Sequence, residues 1–214
     1  MDARGWDERY AASELVWSAG PNQFVEAELS GLAPGRALDL AAGEGRNTIW
    51  LAEEGWQVTA VDFSLAGLDK GRAVLAQHPR GRDLRVDWVH ADVLDFEPGP
   101  VGYDLVVIAY LQLPVDEVHR AVRTAFGALA VGGTFFLVAH DSTNLTEGTG
   151  GPQDPTLLYT AEDVLAALDG ERFEVARAER AARLVPGTAD PSHRHAGVAE
   201  QTAWDALVRL VRTA

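Results

Sequence analysis

The sequence contains no cysteine, which excludes disulfides, thiolate metal centres and cysteine nucleophiles. Basic charge is scarce. Lysine occurs once, at Lys70, and 18 Lys and Arg residues face 32 Asp and Glu, for a formal net charge of −14 in 214 residues. A chain this acidic repels the phosphates of DNA and RNA and the anionic headgroups of a membrane, and no Lys/Arg cluster relieves that repulsion. Apolar runs are short as well. None approaches the roughly 18 residues that span a bilayer, and the opening MDARGWDERY is too charged for a secretory apolar segment. The expectation is a soluble cytoplasmic protein with a small-molecule partner, either monomer or homodimer. Hydrophobic residues make up 47% and charged residues 23%, an ordinary balance for one globular domain.

What recurs along the chain is a short apolar run followed by a helical pattern. RALDLA (36–41), QVTAVDF (57–63), LRVDWV (84–89), DLVVIAY (104–110) and TFFLVAH (134–140) are near-continuous in apolar residues, as in strands covered on both faces. Between them, helices are expected over 48–54, closed by Gly55, and after Ser64, an N-cap, as far as Pro79. A third carries Val118, Val122, Phe126 and Leu129 on one stripe, and a fourth, capped by Thr160 with Asp163, runs to Leu168. Two further strand-like runs, 173–184 and 203–211, have no helix between them and are expected to pair antiparallel. The alternation predicts an α/β fold: one doubly wound, Rossmann-like sheet of seven mostly parallel strands, the last antiparallel, with helices on both faces. Residues 1–214 read as a single domain, a helical segment of 1–34 preceding a core of 35–214. That segment carries Trp6, Tyr10, Trp17 and Phe24, and either packs on the sheet or covers a ligand cleft.

Open α/β sheets bind ligands beyond the carboxyl ends of their strands, and three signals fall there. In LDLAAGEGRN (38–47), Gly43 and Gly45 occupy a strand-to-helix turn, where a missing Cβ allows unusual backbone angles and close approach of a ligand. The N–H groups of the following helix start favour an anionic group such as a carboxylate. Thr48 replaces the third glycine of G-x-G-x-x-G, which counts against a nicotinamide dehydrogenase. Asp62, 17 residues after Gly45, is placed to accept from both hydroxyls of a ribose, or else to cap the next helix. Asp92 and Val93 follow the third run, where a side chain can accept from the exocyclic amine of a base or serve as an ordinary loop residue.

Taken together, these motifs resemble the class I S-adenosylmethionine-dependent methyltransferases over nearly the whole chain. LDLAAGEGRN resembles that family's glycine-rich motif, VTAVDFS its acidic ribose motif and HADVLDF its adenine motif. YDLVVIAYLQLP resembles the strand bordering the acceptor site, and LAVGGTFFLVAHD the L-x-x-G-G turn with the fifth strand. WDERYAASELVWSAGPN is similar to the lid of small bacterial methyltransferases of the tellurite-resistance and thiopurine type. Ala41 stands where the family usually has glycine. The resemblance implies S-adenosylmethionine as cofactor and S-adenosylhomocysteine as product. It assigns Asp62 to the ribose, Asp92 to the adenine amine, Val93 to the ring through its neighbouring backbone, and Phe63 to stacking on adenine or to the core. Gly43 and Gly45 would pass close to the methionine portion, and Asp39 would order that loop or reach the ammonium through water. Trp17, Tyr10 and Arg9 become lid contacts, Arg9 at the methionine carboxylate, with simple packing as the alternative.

Methyl transfer from a sulfonium needs an in-line nucleophile at ~3–3.5 Å and little covalent help. The acceptor therefore belongs above the fourth and fifth strands, whose ends supply Tyr110, Gln112, His140 and Asp141. His140, with Tyr110, is the candidate catalytic group, since histidine deprotonates a hydroxyl near neutral pH; a structural hydrogen bond is its alternative. His193 and His195 lie in a loop that would overhang the same cleft as acceptor contacts, or sit in solvent. His140, Asp141 and Asn144 are ligand types that Mg²⁺ accepts, but three residues within five positions fix no coordination geometry, and no metal is expected. The leading expectation is methylation of a hydroxyl on a sugar or other metabolite. A thiol or metalloid oxyanion acceptor needing no base, and a non-catalytic module that binds the nucleoside, are the alternatives.

Overall fold

Along each central strand, successive side chains point to opposite faces of the sheet, and here both faces are apolar. The computed structural model describes residues 3–12, 20–99, 102–185 and 200–214. Leu38, Val106, Ile108, Phe135 and Leu137 enter one core, while Ala37, Leu105, Val107, Phe136 and Val138 enter the other. The strands are β1 (Arg36–Leu40), β2 (Gln57–Asp62), β3 (Val86–His90), β4 (Tyr103–Ala109), β5 (Leu129–His140), β6 (Phe173–Val185) and β7 (Gln201–Arg212). They form one sheet in the order β3-β2-β1-β4-β5-β7-β6. The first five run parallel, and β7 inserts antiparallel between β5 and β6. The expected sheet is therefore the observed one, including its antiparallel last strand.

The helices are α1 (Ala3–Ala11), α2 (Gln23–Leu29), α3 (Arg46–Glu53), α4 (Leu65–Gln77), α5 (Val115–Gly127), α6 (Asn144–Glu147) and α7 (Ala161–Ala167). Helices α2 and α3 supply Phe24, Val25, Leu29 and Leu51 to one core. Helices α5 and α7 supply Val118, Val122, Phe126 and Val164 to the other. The local signals behave as read: the Ser64 side chain accepts from the Gly67 N–H, and Thr160 and Asp163 form a complete capping box. One boundary differs. The stripe read to Leu129 stops at Gly127, because Ala128 caps the helix and Leu129 already pairs with Tyr103 in the sheet. No helix among the described residues is long and apolar enough to cross a membrane.

The N-terminal segment divides its work. Phe24, Val25 and Leu29 make α2 part of the sheet's packing. In α1, Asp7 Oδ1 accepts from Ser64 Oγ at 2.5 Å and from the Ala66 N–H at 3.2 Å, fastening the helix to the start of α4. Trp17 lies outside the described residues, as do His193 and His195.

The turn after β1 carries strain. Ala41 has φ 60°, in the left-handed region where a Cβ meets the carbonyl oxygen. Ala41→Gly should therefore raise stability by about 1 kcal/mol, visible as a Tm increase of about 2–4 °C in a thermal scan. An unchanged or lower Tm would show that the turn relaxes without a glycine.

Candidate functional site

Parallel register brings the tips of β1, β2 and β3 together, with Leu40 beside Val61 and Asp62 beside His90. Asp62 is the only carboxylate that ends β2, and the chain wraps around it. Its Oδ2 accepts from the Gly43 N–H and its Oδ1 from the Ser64 N–H, each at 2.8 Å. Burial raises the pKa of Asp62, and those two N–H bonds oppose the rise. Each carboxylate oxygen keeps a further lone pair for a ligand hydroxyl.

Asp62 and Phe63 form one wall of a cavity of about 790 Å³. Asp92 and Val93 form the next wall, Gly43 the floor of the turn, and residues 109–113 the side at β4. Trp6 and Tyr10 of α1 complete the lining, their rings stacked at 5.5 Å. Gly43 has φ 56°, a conformation that favours glycine, and a Cβ there would stand 2.5 Å from the Tyr10 hydroxyl and push that ring aside. The structure thus brings Gly43, Asp62, Phe63, Asp92 and Val93 into one cavity beneath Tyr10.

Gly45 and Asp39 lie outside that lining, Asp39 in the loop-ordering place that was one of its two expected roles. The left-handed Gly45 faces the Trp88 ring, which a Cβ would meet at 2.3 Å; its glycine makes room for packing and not for a ligand. Asp39 is buried behind the turn, accepting from Thr48 Oγ1 at 2.6 Å, so it orders the loop and lines neither cavity. Burial, reinforced by the charge of Asp62, pushes its pKa up to about 7 against the Thr48 bond and the Arg46 charge.

Arg46, Tyr110 and Gln112 border both this cavity and a second, wider cleft of about 1940 Å³. Arg9, Asn22, His140 and Arg183 line the second cleft. Behind it lies a carboxylate that the sequence reading missed. Asp205 in β7 has no exposed surface and sits opposite His140 in the β5–β7 register. Its Oδ2 accepts from Tyr110 Oη at 2.8 Å and from Arg183 Nε at 2.6 Å. His140 Nδ1 lies 3.3 Å from Oδ1, a contact that falls short of an aligned hydrogen bond. Burial is the largest influence on Asp205 and acts upward, but His140 and Arg183 together outweigh it and hold its pKa below the ordinary value.

Tyr110 takes a different part from the one expected of it. Its hydroxyl donates to Asp205 and accepts from Asn22 Nδ2 at 3.3 Å, and burial drives its pKa well up, so it braces the cleft as a neutral phenol. Asp141 is turned away, accepting from the Thr143 N–H and Oγ1, and it lines neither cavity. Asn144 donates to the Gly150 carbonyl and accepts from the Trp204 N–H. Of the groups suggested for Mg²⁺, Asp141 and Asn144 are engaged in loop structure, and the described residues hold no group of three or more His, Cys, Asp or Glu that could bind a metal. Besides Asp205, the residues missed were Arg46, Asn47 and Arg183. Arg46 and Asn47 directly follow the glycine turn, a position that could have flagged them.

Comparison with known proteins agrees with this geometry. Residues 37–133 match the methyltransferase-domain family. A demethylmenaquinone methyltransferase of Clavibacter sepedonicus is 37% identical over 121 residues, covering 56% of this chain and 46% of that protein. The chain spans roughly half or less of the curated relatives it matches first, between 33 and 53%. Among solved structures, the N-methyltransferase NodS from Bradyrhizobium japonicum WM9, in complex with S-adenosyl-L-homocysteine, superposes with a TM-score of 0.69 at 17% identity over 100% of both chains. The CcbJ methyltransferase from Streptomyces caelestis does so with a TM-score of 0.67 at 21% identity, again over 100% of both. These likenesses show the Rossmann-like methyltransferase fold, and residues 37–133 match the methyltransferase-domain family.

Asp39 gives the site a pH signature. A carboxyl with a folded pKa of about 7 and an ordinary value of 3.8 binds its proton more tightly folded than unfolded. Its contribution to stability is thus fullest at or below about pH 4, falls as pH rises toward 7, and is level above that. Asp39→Asn keeps an acceptor for Thr48 and removes the titration. The stability of the parent protein relative to this variant, from denaturant midpoints, should decline between pH 4 and 7 and then flatten; a constant difference across that range would contradict the buried-acid assignment.

Proposed function

We propose that the chain, built around the methyltransferase domain of residues 37–133, transfers a methyl group from S-adenosylmethionine to a hydroxyl oxygen of a small metabolite, with His140 as general base. The observation that carries this reading is the joining of two cavities at Tyr110 and Gln112: one ringed by carboxylates at strand tips, the other presenting a histidine. The donor set fits the cofactor. Asp62 would hold the ribose hydroxyls, Asp92 the adenine amine, and Phe63 and Val93 the faces of the base, while Gly43 leaves space for the amino-acid portion. Trp6 and Tyr10 would exclude water from above, making α1 a lid on a single domain, with Arg9 at its inner edge. When bound, the cofactor supplies an electrophilic methyl group on a sulfonium.

His140 does the acid–base work. Asp205 beside Nδ1 favours the tautomer that carries its proton there, which leaves Nε2 to take the proton of an acceptor hydroxyl. Arg183 and Tyr110 hold Asp205, and so hold the imidazole. Gln112, at the junction, offers both donor and acceptor groups to orient the acceptor. A second reading keeps the cofactor site but gives it a thiol or metalloid oxyanion, which needs no base. The stacked Trp6 and Tyr10 favour it, since an aromatic roof suits a soft, polarisable nucleophile.

Two variants separate these parts. Asp62→Ala should weaken S-adenosylhomocysteine binding, read by calorimetry, by ~2–4 kcal/mol or roughly thirty- to a thousandfold; unchanged affinity in a folded variant would mean that the ribose lies elsewhere. His140→Ala should lower turnover near neutral pH by about 10²–10⁴-fold while leaving S-adenosylhomocysteine affinity intact. Near-normal turnover in that variant would favour the soft-nucleophile reading.

A further inference from the structure

We infer that the acceptor is an anion, carrying a carboxylate or phosphate that the second cleft receives at Arg46 and Arg183. This rests on the reading that the acceptor occupies the cleft of His140. The protein as a whole is strongly acidic, with 32 acidic against 18 basic side chains, yet this cleft is lined by three arginines from separate elements: Arg9 of α1, Arg46 of α3 and Arg183 of β6. Among the described residues, the one carboxylate on the same lining is Asp154, whose Oδ1 is engaged by the N–H and hydroxyl of Thr156 at an exposed lip. The other nearby acids stand behind the arginines. Asp205 takes Nε and Nη2 of Arg183, and Asp39 is covered by the turn that carries Arg46.

The two cations on the wall oppose each other. Burial lowers the pKa of Arg46 most, and the Arg183 charge lowers it further, while Tyr110 and Asp39 act the other way. Guanidinium groups on a partly dry wall favour an anion in the cleft that they line. Asp205 uses two nitrogens of Arg183, and a guanidinium carries five N–H donors, so capacity remains on the cleft side. Their planar forks match a carboxylate or phosphate and have nothing to offer a neutral hydroxyl beyond single hydrogen bonds. The cleft therefore selects hydroxylated acids or sugar phosphates over neutral sugars and phenols.

The test uses the full chain saturated with S-adenosylhomocysteine and matched pairs of probes: 4-hydroxybenzoate with 4-hydroxybenzamide, 4-coumarate with its amide, and glucose 6-phosphate with glucose. Calorimetry should show at least one anion binding about tenfold or more tightly than its neutral partner, the phosphate pair telling a phosphate site from a carboxylate site. That preference should shrink as salt rises from about 0.05 to about 0.5 M. In Arg183→Gln it should fall to about threefold or less with S-adenosylhomocysteine affinity retained, because Arg183 lines only the second cleft. Should that variant not fold, the probe pairs on the parent protein decide alone. Neutral probes binding as well as their anions, or no anion binding at millimolar concentration, overturns the inference and leaves the cofactor reading standing. Failure of S-adenosylhomocysteine itself to bind instead removes the methyltransferase reading beneath it.

Discussion

A carboxylate sealed inside the seventh strand dictates the shape of the acceptor side. Removing Asp205 from water costs several kcal/mol, and only close donors offset that. Arg183 from β6, Tyr110 from the residue after β4 and His140 from β5 converge on it, so one charge ties together the functional ends of three strands. The backbone records the demand. Tyr110 stands at φ 58°, a left-handed conformation that costs a tyrosine of the order of 1–2 kcal/mol. With its hydroxyl held between Asp205 and Asn22, the chain bends where the two cavities meet. Asn22 extends the brace further: its backbone N–H donates to Asn47 Oδ1, and its side chain caps α2. One buried charge thus reaches, through hydrogen bonds, the starts of two helices.

The other end of the cleft is governed by two acids that differ by environment. Asp62 and Asp39 lie on adjacent strands and are both buried, yet the chain treats them differently. Backbone N–H groups from two directions support the charge of Asp62, as suits a group that meets a ligand from the cavity side. Asp39 has a single close donor, Thr48, and the charge of Asp62 beside it, so its proton stays to near-neutral pH. A neutral Asp39 spares the turn a second uncompensated charge next to the first.

The sequence shows some of these residues and hides others for a geometric reason. Asp62, Phe63, Asp92 and Val93 each end a run of apolar residues, and in a parallel sheet all such ends lie on one edge, so their meeting required no knowledge of register beyond strand order. Gly43 and Gly45 were indistinguishable, because one motif holds both and only the placement of Trp88 tells which glycine faces a ring and which a cavity. Asp205 was hidden because an antiparallel strand inserted between two others has a register that periodicity cannot supply. The only trace was a charge within the apolar run AWDALV. Leu129 misled for the opposite reason: it continues a helical stripe while its backbone has already joined the sheet. The acceptor wall gathers single residues from α1, α3, β4, β5 and β6, each an ordinary arginine or strand-end residue in isolation.

Charge is sorted along the joined cavities, and the sorting bears on the reaction. Asp62 and Asp92 stand at the first cavity, Arg9 and Arg183 at the second, and Arg46, Tyr110 and Gln112 border both. The acidic exterior contributes little at the junction, since exposed charges are screened within about 8 Å at physiological salt. On the proposed reading, a cationic sulfonium is favoured at one end and an anionic acceptor at the other, so the local field and not the net charge decides what enters. Transfer of the methyl group to the hydroxyl, with the hydroxyl proton passing to His140, would move positive charge from the sulfonium to an imidazolium beside the Asp205 carboxylate, which favours it there. The buried Asp205 then has a second effect. By keeping Arg183 of β6 and His140 of β5 at one carboxylate of β7, it would hold the anion-binding group and the base on either side of one strand, so that an acceptor held by its acidic group would present its hydroxyl to the imidazole.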